Sequence, residues 1–190
     1  HNDARRQRQM CIRDRTNIGP SVMSGRVTDL EVNPNNPTEF YVAYASGGLW
    51  HTKNNGTTFS PIMDNSMTQN IGDFAIDWKS NSIYVGTGES NSSRSSYPGI
   101  GILKSNDNGS TWTNIGLRDS HHISRVLVNP NNENHIVVAV IGHLYTKNTQ
   151  RGIFTSFDNG KTWEKSLFIN DHTGCLLYTS PSPRDQQPSR

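Results

Sequence analysis

Short apolar runs alternate with polar, turn-forming segments along most of the chain. Three of the runs lead directly into a turn rich in Asn, Pro or Ser: RVTDLEVNP from Arg26, DFAIDW from Asp73 and RVLVNP from Arg125. A second apolar run follows each of them, at residues 40–45, 83–86 and 136–141. Short runs bounded by turn residues are typical of β-strands. The pattern therefore predicts an all-β protein.

An eight-residue pattern recurs after these strands. It reads SNDNGSTW at residues 105–112, SFDNGKTW at 156–163 and, as a weaker copy, TKNNGTTF at 52–59. The repeating unit is then strand, polar turn, strand, loop, strand, pattern turn and strand, which is four strands in about 50 residues, the size of one propeller blade. We therefore predict a β-propeller fragment of about three four-stranded blades, at about residues 24–62, 71–115 and 123–168.

Each part of the repeated pattern has a structural interpretation. A tight hairpin needs a residue that tolerates positive φ, which the glycine provides. The aspartate can accept backbone N–H bonds within the turn, and the tryptophan can anchor the outgoing strand on the apolar layer. In the weaker copy an amide replaces the carboxylate and can still accept a bond. The residues given structural roles are Asn54, Gly56, Ser105, Asp107, Gly109, Trp112, Ser156, Asp158, Gly160 and Trp163.

This pattern resembles the Asp-box, or BNR, repeat family, and the resemblance covers nearly all of residues 16–174. That family includes sialidases, xyloglucanase-type glycosidases, sortilin-type sorting receptors and photosystem assembly factors, so the resemblance implies a fold rather than one function. The segments NIGP from Asn17, SGRV from Ser24 and GGLW from Gly47 look like the N-terminal propeller of sortilin-type proteins.

Both ends of the chain resemble translated sequencing adapter rather than protein. Residues 5–15, RRQRQMCIRDR, match one reading frame of a transposase adapter, and residues 175–185, CLLYTSPSPRD, match a frame of the companion adapter in reverse complement. We therefore expect residues 1–15 and 175–190 to be adapter-derived or non-native. Residues 16–174 are then a partial Asp-box β-propeller.

Setting the ends aside changes the composition. Of the 18 Lys/Arg and 16 Asp/Glu residues, seven basic and three acidic ones lie in the ends, so the formal charge moves from +2 for the whole chain to −2 for residues 16–174. Both cysteines, Cys11 and Cys175, also lie there. Scattered charges without a basic stripe argue against nucleic acid, and the lack of an apolar run near 18 residues argues against membrane insertion. We expect an extracellular, periplasmic or cell-surface protein.

Four-stranded blades place their loops on two faces. The turn between the first two strands and the repeated turn lie on one face. The connection leading into a blade and the loop between its second and third strands lie on the other, where we expect the function. The candidate binding residues of that rim are Arg26, Asp73, Glu89, Asn91, Arg94, Tyr97, His121, His122, His143 and Arg151.

The segment GESNSSRSSYPG at residues 88–99 is the least generic of these loops. It is about ten residues longer than its counterpart at 46–48, and long loops on rigid scaffolds often carry binding groups. The alternative is a solvated Ser-rich insertion. Glu89 follows a strand directly, so it is the first choice for a polar functional residue.

Two pairings within the rim stay open. Arg26 and Arg125 align at the start of inner strands and could bind a carboxylate or phosphate group, but an ion pair with Asp73, at the matching place, is the favoured role. His121 and His122, with His143 and Glu89, suggest a metal site. Adjacent strand residues point to opposite sides, however, and hydrogen-bonded rim histidines are the alternative. We predict no metal and no cofactor.

The leading functional hypothesis is a sortilin-like module of a larger protein that binds a protein, peptide or glycan. The alternative is a glycoside hydrolase, sialidase-like or xyloglucanase-like, whose remaining catalytic residues lie in further blades. Glycosidases normally use two carboxylates beside the bond, and Glu89 and Asp73 are the rim acids. The xyloglucanase-type resemblance places its first catalytic acid in an R-T-D-I-G-G pattern, where this chain has Ala45. For a sialidase, the rim arginines and Tyr97 supply the required residue types, but the sequence does not show their geometry.

Overall fold

The computed structural model describes residues 26–91 and 96–174, which contain twelve β-strands and no helix. Accordingly, no helix in this part of the chain could span a membrane. The predicted adapter segments and Arg94 lie outside the described residues. The strands are β1 (Val27–Val32), β2 (Phe40–Tyr44), β3 (Gly48–Thr52), β4 (Ser60–Pro61), β5 (Ile71–Asp77), β6 (Ser82–Thr87), β7 (Ile102–Ser105), β8 (Thr113–Gly116), β9 (Ile123–Asn129), β10 (Asn132–Val140), β11 (Gly152–Ser156) and β12 (Glu164–Leu167).

The strands form three antiparallel sheets, each a meander of four consecutive strands: β1–β4, β5–β8 and β9–β12. The main contacts between sheets join the first strands, β1 to β5 and β5 to β9. Sheets that meet at their first strands and diverge outwards are the blades of a β-propeller. The predicted all-β class and the three four-stranded blades are confirmed.

The core lies between the blades. One cluster joins the first and second sheets around Leu49, Phe74 and Val85, and another joins the second and third sheets around Tyr84 and Ile136. Successive residues of β6 contribute to opposite clusters because neighbouring side chains of a strand point to opposite faces. The middle sheet therefore buries both of its faces, and every residue of β6 is buried.

Each first strand contains a β-bulge at the same place. The pairing of β1, β5 and β9 with the following strand skips Thr28, Gly72 and Ser124. The hydroxyl groups of Thr28 and Ser124 donate to the carbonyl oxygens of Ala43 and Ala139. In the middle blade glycine is required, because a Cβ on Gly72 would lie 1.9 Å from the Ile123 carbonyl oxygen.

The turns that carry the repeated pattern share one set of hydrogen bonds. In the second turn, Ser105 Oγ accepts from Gly109 N at 2.8 Å, and Asp107 Oδ1 accepts from Thr111 N at 2.8 Å. The Thr111 hydroxyl also donates to Asp107 Oδ2 at 2.6 Å. These bonds, those from Thr111 foremost, lower the pKa of Asp107 to about 2. The turn at 156–163 repeats the set, and Asp158 has the same lowered pKa.

The weaker copy closes in the same way. Thr52 Oγ1 accepts from Gly56 N at 3.0 Å, and Asn54 Oδ1 accepts from Thr58 N at 2.9 Å. In all three turns the glycine and the asparagine before it have positive φ, between 80° and 87° for the glycines and between 55° and 63° for the asparagines. An amide oxygen is therefore sufficient for the turn.

Two of the repeated turns also attach to the preceding blade. Trp112 Nε1 donates to the Ile62 carbonyl oxygen at 3.1 Å, and Trp163 Nε1 donates to that of Ile115 at 2.8 Å. The glycines lie against the same residues: a Cβ on Gly109 would lie 2.7 Å from the Ile62 oxygen, and one on Gly160 would lie 2.5 Å from Ile115 Cδ1. The turns therefore join blades as well as strands.

Substituting alanine at two of these glycines separates turn strain from attachment. Gly56 and Gly109 have similar positive φ, but a Cβ on Gly56 would meet only ordinary contacts of 3.5 Å or more. We expect Gly56→Ala to lower the free energy of unfolding by about 1 kcal/mol through strain. Gly109→Ala should cost roughly 1–3 kcal/mol more, because the Ile62 backbone must move. Urea denaturation of both variants checks this, and equal losses would contradict the attachment.

Candidate functional site

Backbone hydrogen bonds between blades hold together the face on which β1, β5 and β9 begin, called here the long-loop face. Ile71 N donates to the Ala45 carbonyl oxygen at 3.0 Å, joining the first two blades. Gly88 N donates to Asn70 O at 3.0 Å, and Gly99 N donates to His121 O at 2.6 Å. The loop that leaves β6 is therefore fixed at its base to its own blade and to the next one.

Glu89 is buried beneath this face with its charge paired. Its side chain is 7% exposed, and Oε2 lies 2.9 Å from Nη2 of Arg26, whose side chain is 53% exposed. Glu89 N donates to Tyr97 O at 3.1 Å, so the ends of the loop are joined beside the ion pair. The carboxylate positions the guanidinium of Arg26, and about half of that side chain remains exposed.

His122 supports Glu89 from below. It is 3% exposed, and its Nδ1 lies 2.8 Å from the Glu89 carbonyl oxygen. A carbonyl oxygen only accepts, so Nδ1 carries the proton. Burial lowers the pKa of His122, which keeps the ring neutral near pH 7. His122 thus holds the backbone of the candidate residue and does not reach the surface.

The other predicted rim residues separate into exposed and buried positions. Tyr97 is 54% exposed and Asn91 is also exposed, with its carbonyl oxygen accepting from the Ser96 hydroxyl. Arg151 is 5% exposed, because its guanidinium donates to the carbonyl oxygens of Ile141, His143 and Thr146. Arg151 therefore shapes the loop after β10 and is buried below the rim face.

Asp73 lies at the meeting point of the first strands. Its Oδ2 accepts from Val126 N at 2.7 Å, and its Oδ1 is 3.2 Å from Arg125 Nη1. The same Nη1 lies 3.4 Å from Asp29 Oδ2, so one guanidinium serves two carboxylates. Burial, followed by the nearby Asp29, raises the pKa of Asp73 to about 8. We call Asp29, Asp73 and Arg125 the axial cluster.

The axial cluster corrects the expected alignment of the inner strands. In the strand ladders, Asp29, Asp73 and Arg125 occupy equivalent positions directly after the bulge, paired with Ala43, Gly86 and Ala139. Arg26 precedes β1 and binds Glu89 instead of Asp73. The ion pair of Asp73 with Arg125 is present as expected. The similar strings that start at Arg26 and Arg125 concealed the shift, and Asp29 was missed.

A histidine pair lies on the third blade. The rings of His121 and His143 stack with centroids 3.6 Å apart, whereas His122 turns away. His143 Nε2 lies 3.2 Å from Asp119 Oδ1. Burial, followed by the charge of His143, lowers the pKa of His121. Asp119 was not among the predicted rim residues, although its place two residues before His121 was a usable signal.

A cavity of about 320 Å³ lies on the opposite face, where the turns between the first two strands of the blades meet. Its acidic residue, Asp77, is hydrogen-bonded within its own turn, where it accepts from Lys79 N at 3.0 Å and from the Ser80 hydroxyl at 2.7 Å. The cavity was not predicted from the sequence. It is lined by Pro34, Asn35, Ile76, Asp77, Trp78, Lys79, Val128 and Pro130.

Comparison with known proteins supports the fold. No protein-family profile and no curated protein matches the chain. Among solved structures, an ancestral GH74 enzyme is 21% identical with a TM-score of 0.65, and the match covers 86% of this chain and 21% of that one. A GH74 enzyme from Niastella koreensis is 19% identical with a TM-score of 0.43, and the match covers 72% of this chain and 28% of that one. YCF48 from Cyanidioschyzon merolae is 16% identical with a TM-score of 0.48, and the match covers 76% of this chain and 38% of that one. The chain thus spans about a fifth of the length of the ancestral enzyme.

The raised pKa of Asp73 predicts a pH dependence of stability. An acid whose pKa is higher in the folded state stabilises the fold at low pH, and this contribution is lost as the pH rises from about 4 to about 8. We expect Asp73→Asn to reduce the fall in unfolding free energy between pH 5 and pH 9, by at most about 4 kcal/mol, because each pKa unit crossed in this range is worth about 1.4 kcal/mol. Urea denaturation across this range tests it. The exposed Asp64→Asn should keep the wild-type slope, and an unchanged slope in Asp73→Asn would contradict the assignment.

Proposed function

We propose that this chain is part of a ligand-binding β-propeller and that its long-loop face binds a protein, peptide or glycan. The observation that carries the proposal is the combination of a fixed loop base with exposed binding groups. The base of loop 88–101 is bonded to two blades, while the residue Tyr97 and the side chain of Arg26 are each more than half exposed. A rigid support lowers the entropy lost when exposed groups bind a partner.

Tyr97 and Arg26 have suitable chemistry for this role. A tyrosine ring offers a large contact area with few rotatable bonds, and tyrosine and arginine are enriched among the residues that dominate binding energies. The planar guanidinium can donate two parallel hydrogen bonds to a carboxylate, phosphate or sulfate group. Glu89 directs that guanidinium from its buried side, as a positioning residue.

The alternative function, a glycoside hydrolase, agrees less well with the positions of the two rim carboxylates, Asp73 and Glu89. A hydrolase needs two carboxylates able to reach the glycosidic bond. Both oxygens of Asp73 already have partners, in the Arg125 guanidinium and the Val126 amide, and Glu89 is buried against Arg26. At the place where the xyloglucanase-type resemblance implies an acid, Ala45 is 2% exposed and bonded to Arg26 O and Ile71 N.

The proposal includes the wider context that the sequence suggests. We take the repeated turns to be Asp-boxes, because their serine or threonine, their aspartate or asparagine and their glycine make the same hydrogen bonds in all three copies. We take the protein to be a larger, sortilin-like binding protein of the cell surface or the extracellular space. Its ligand would then be met outside the cytoplasm.

Binding measurements with rim variants test the proposal. Full-length protein is screened against glycan and peptide arrays, and the Kd of each hit is measured by calorimetry. We expect Arg26→Gln and Tyr97→Ala each to weaken binding about tenfold or more, about 1.4 kcal/mol, because each removes an exposed contact. The matched control is Phe157→Ala, an aromatic residue 62% exposed on the repeated-turn face, which should bind as the wild type does.

Two outcomes would contradict the binding proposal. Ligands held equally by wild type, Arg26→Gln and Tyr97→Ala would show that the long-loop face is not the site. Turnover of an array glycan that is lost in Glu89→Gln would identify a hydrolase instead.

A further inference from the structure

A second cluster of polar side chains lies on the third blade, beside the base of loop 88–101, where Gly99 N donates to His121 O. We propose that Asp119, His121 and His143 bind a divalent first-row transition metal ion, zinc above all. One ligand atom from each residue lies within 4.8 Å of the other two. The residues come from two segments, the connection into β9 and the loop after β10. The inference is independent of the proposed ligand-binding function.

The backbone aims His121 at the site. Its φ of 54° is unusual for a residue with a side chain, and such conformations persist only where the surroundings impose them. Here Gly99 N donates to the His121 carbonyl oxygen, and His122 N donates to Ser120 O, both at 2.6 Å. The same turn separates the two adjacent histidines, so His121 joins His143 while His122 is buried beside Glu89.

Hydrogen bonds already orient the other two ligands. His143 Nδ1 lies 2.8 Å from Thr146 Oγ1, which leaves Nε2 directed at Asp119. Asn148 Nδ2 donates to Asp119 Oδ2 at 2.8 Å and to its carbonyl oxygen at 2.9 Å. Such outer hydrogen bonds, on a histidine's second nitrogen and on a ligand carboxylate, are a regular part of metal centres.

The support beneath these ligands is buried. Asn148 and Arg151 are each 5% exposed, and Arg151 donates to the carbonyl oxygens of His143 and Thr146. Asn148 Oδ1 is a buried acceptor without a hydrogen-bond partner among the described residues. Buried acceptors are rarely left unpaired. The amide nitrogen of Asn148 faces Asp119, so the contribution of Asn148 to the site is to hold that carboxylate in place.

The donor set selects the class of ion. Two imidazoles and one carboxylate suit zinc and its neighbours, whereas calcium and magnesium prefer oxygen ligands alone. A tetrahedral ion at about 2.1 Å from its ligands needs them about 3.4 Å apart. Binding therefore requires the side chains to rotate inwards from their present spacing, with the ion replacing the bond between His143 and Asp119. Three protein ligands leave a fourth position for water or for a donor atom of a ligand.

Zinc titration of chelator-treated, tag-free full-length protein tests the proposal. We expect one equivalent of Zn²⁺ to bind, a rise in melting temperature on binding, and a visible Co²⁺ spectrum typical of four-coordinate nitrogen and oxygen ligands. His121→Gln and His143→Gln should each weaken Zn²⁺ binding at least about 100-fold, and Asn148→Ala about tenfold. The control is His135→Gln on the opposite face, where His135 stacks on Phe157, and it should leave the affinity unchanged.

Circular dichroism without metal shows whether each variant folds. Should the histidine variants unfold, Asp119→Asn decides, because an asparagine there can keep the bonds from Asn148 while losing the charge. A wild-type Kd above about 10 µM overturns the proposal. So does a tight site that survives the loss of Asp119 or of either histidine.

Discussion

The rest of the structure depends on the hydrogen bonds of one buried carboxyl group, that of Asp73, at the centre of the three blades. Asp73 bonds to the backbone and the side chain of β9, and Arg125 carries the connection on to Asp29 of β1. A buried polar group without hydrogen-bond partners is unfavourable, so the first strands must approach closely enough to provide partners for Asp73. The bulges make this possible, because they bring the same position of each blade to the axis.

Farther from the axis, the two faces of the blades are held together by different kinds of contact. On one face, tryptophans and glycines of the repeated turns attach each blade to the one before, which leaves those side chains committed to structure. On the long-loop face, backbone bonds carry much of the attachment, and this frees side chains such as Tyr97 and Arg26. The pattern that is easiest to recognise therefore lies opposite the candidate site.

The repeated turns made the fold predictable because their roles are local: each serine, aspartate and glycine acts within eight residues. The long-loop face was also predictable, since strand order alone assigns loops to faces. The pairs that side chains form on that face were not predictable. Asp29 was missed and Arg26 was matched to the wrong position because a bulge shifts the alignment of the inner strands. Arg151 is buried by hydrogen bonds to carbonyl oxygens of the loop after β10, which sequence spacing does not reveal.

A double-mutant cycle between Asp73→Asn and Arg125→Met tests most directly whether the axial cluster holds the blades together. Urea denaturation at pH 7 gives the unfolding free energy of the wild type, both single variants and the double variant. Residues that share a hydrogen-bonded pair couple by roughly 0.5–3 kcal/mol, and the account predicts at least about 1 kcal/mol here. Additive effects, with coupling below about 0.3 kcal/mol, would show that the blades are positioned without it.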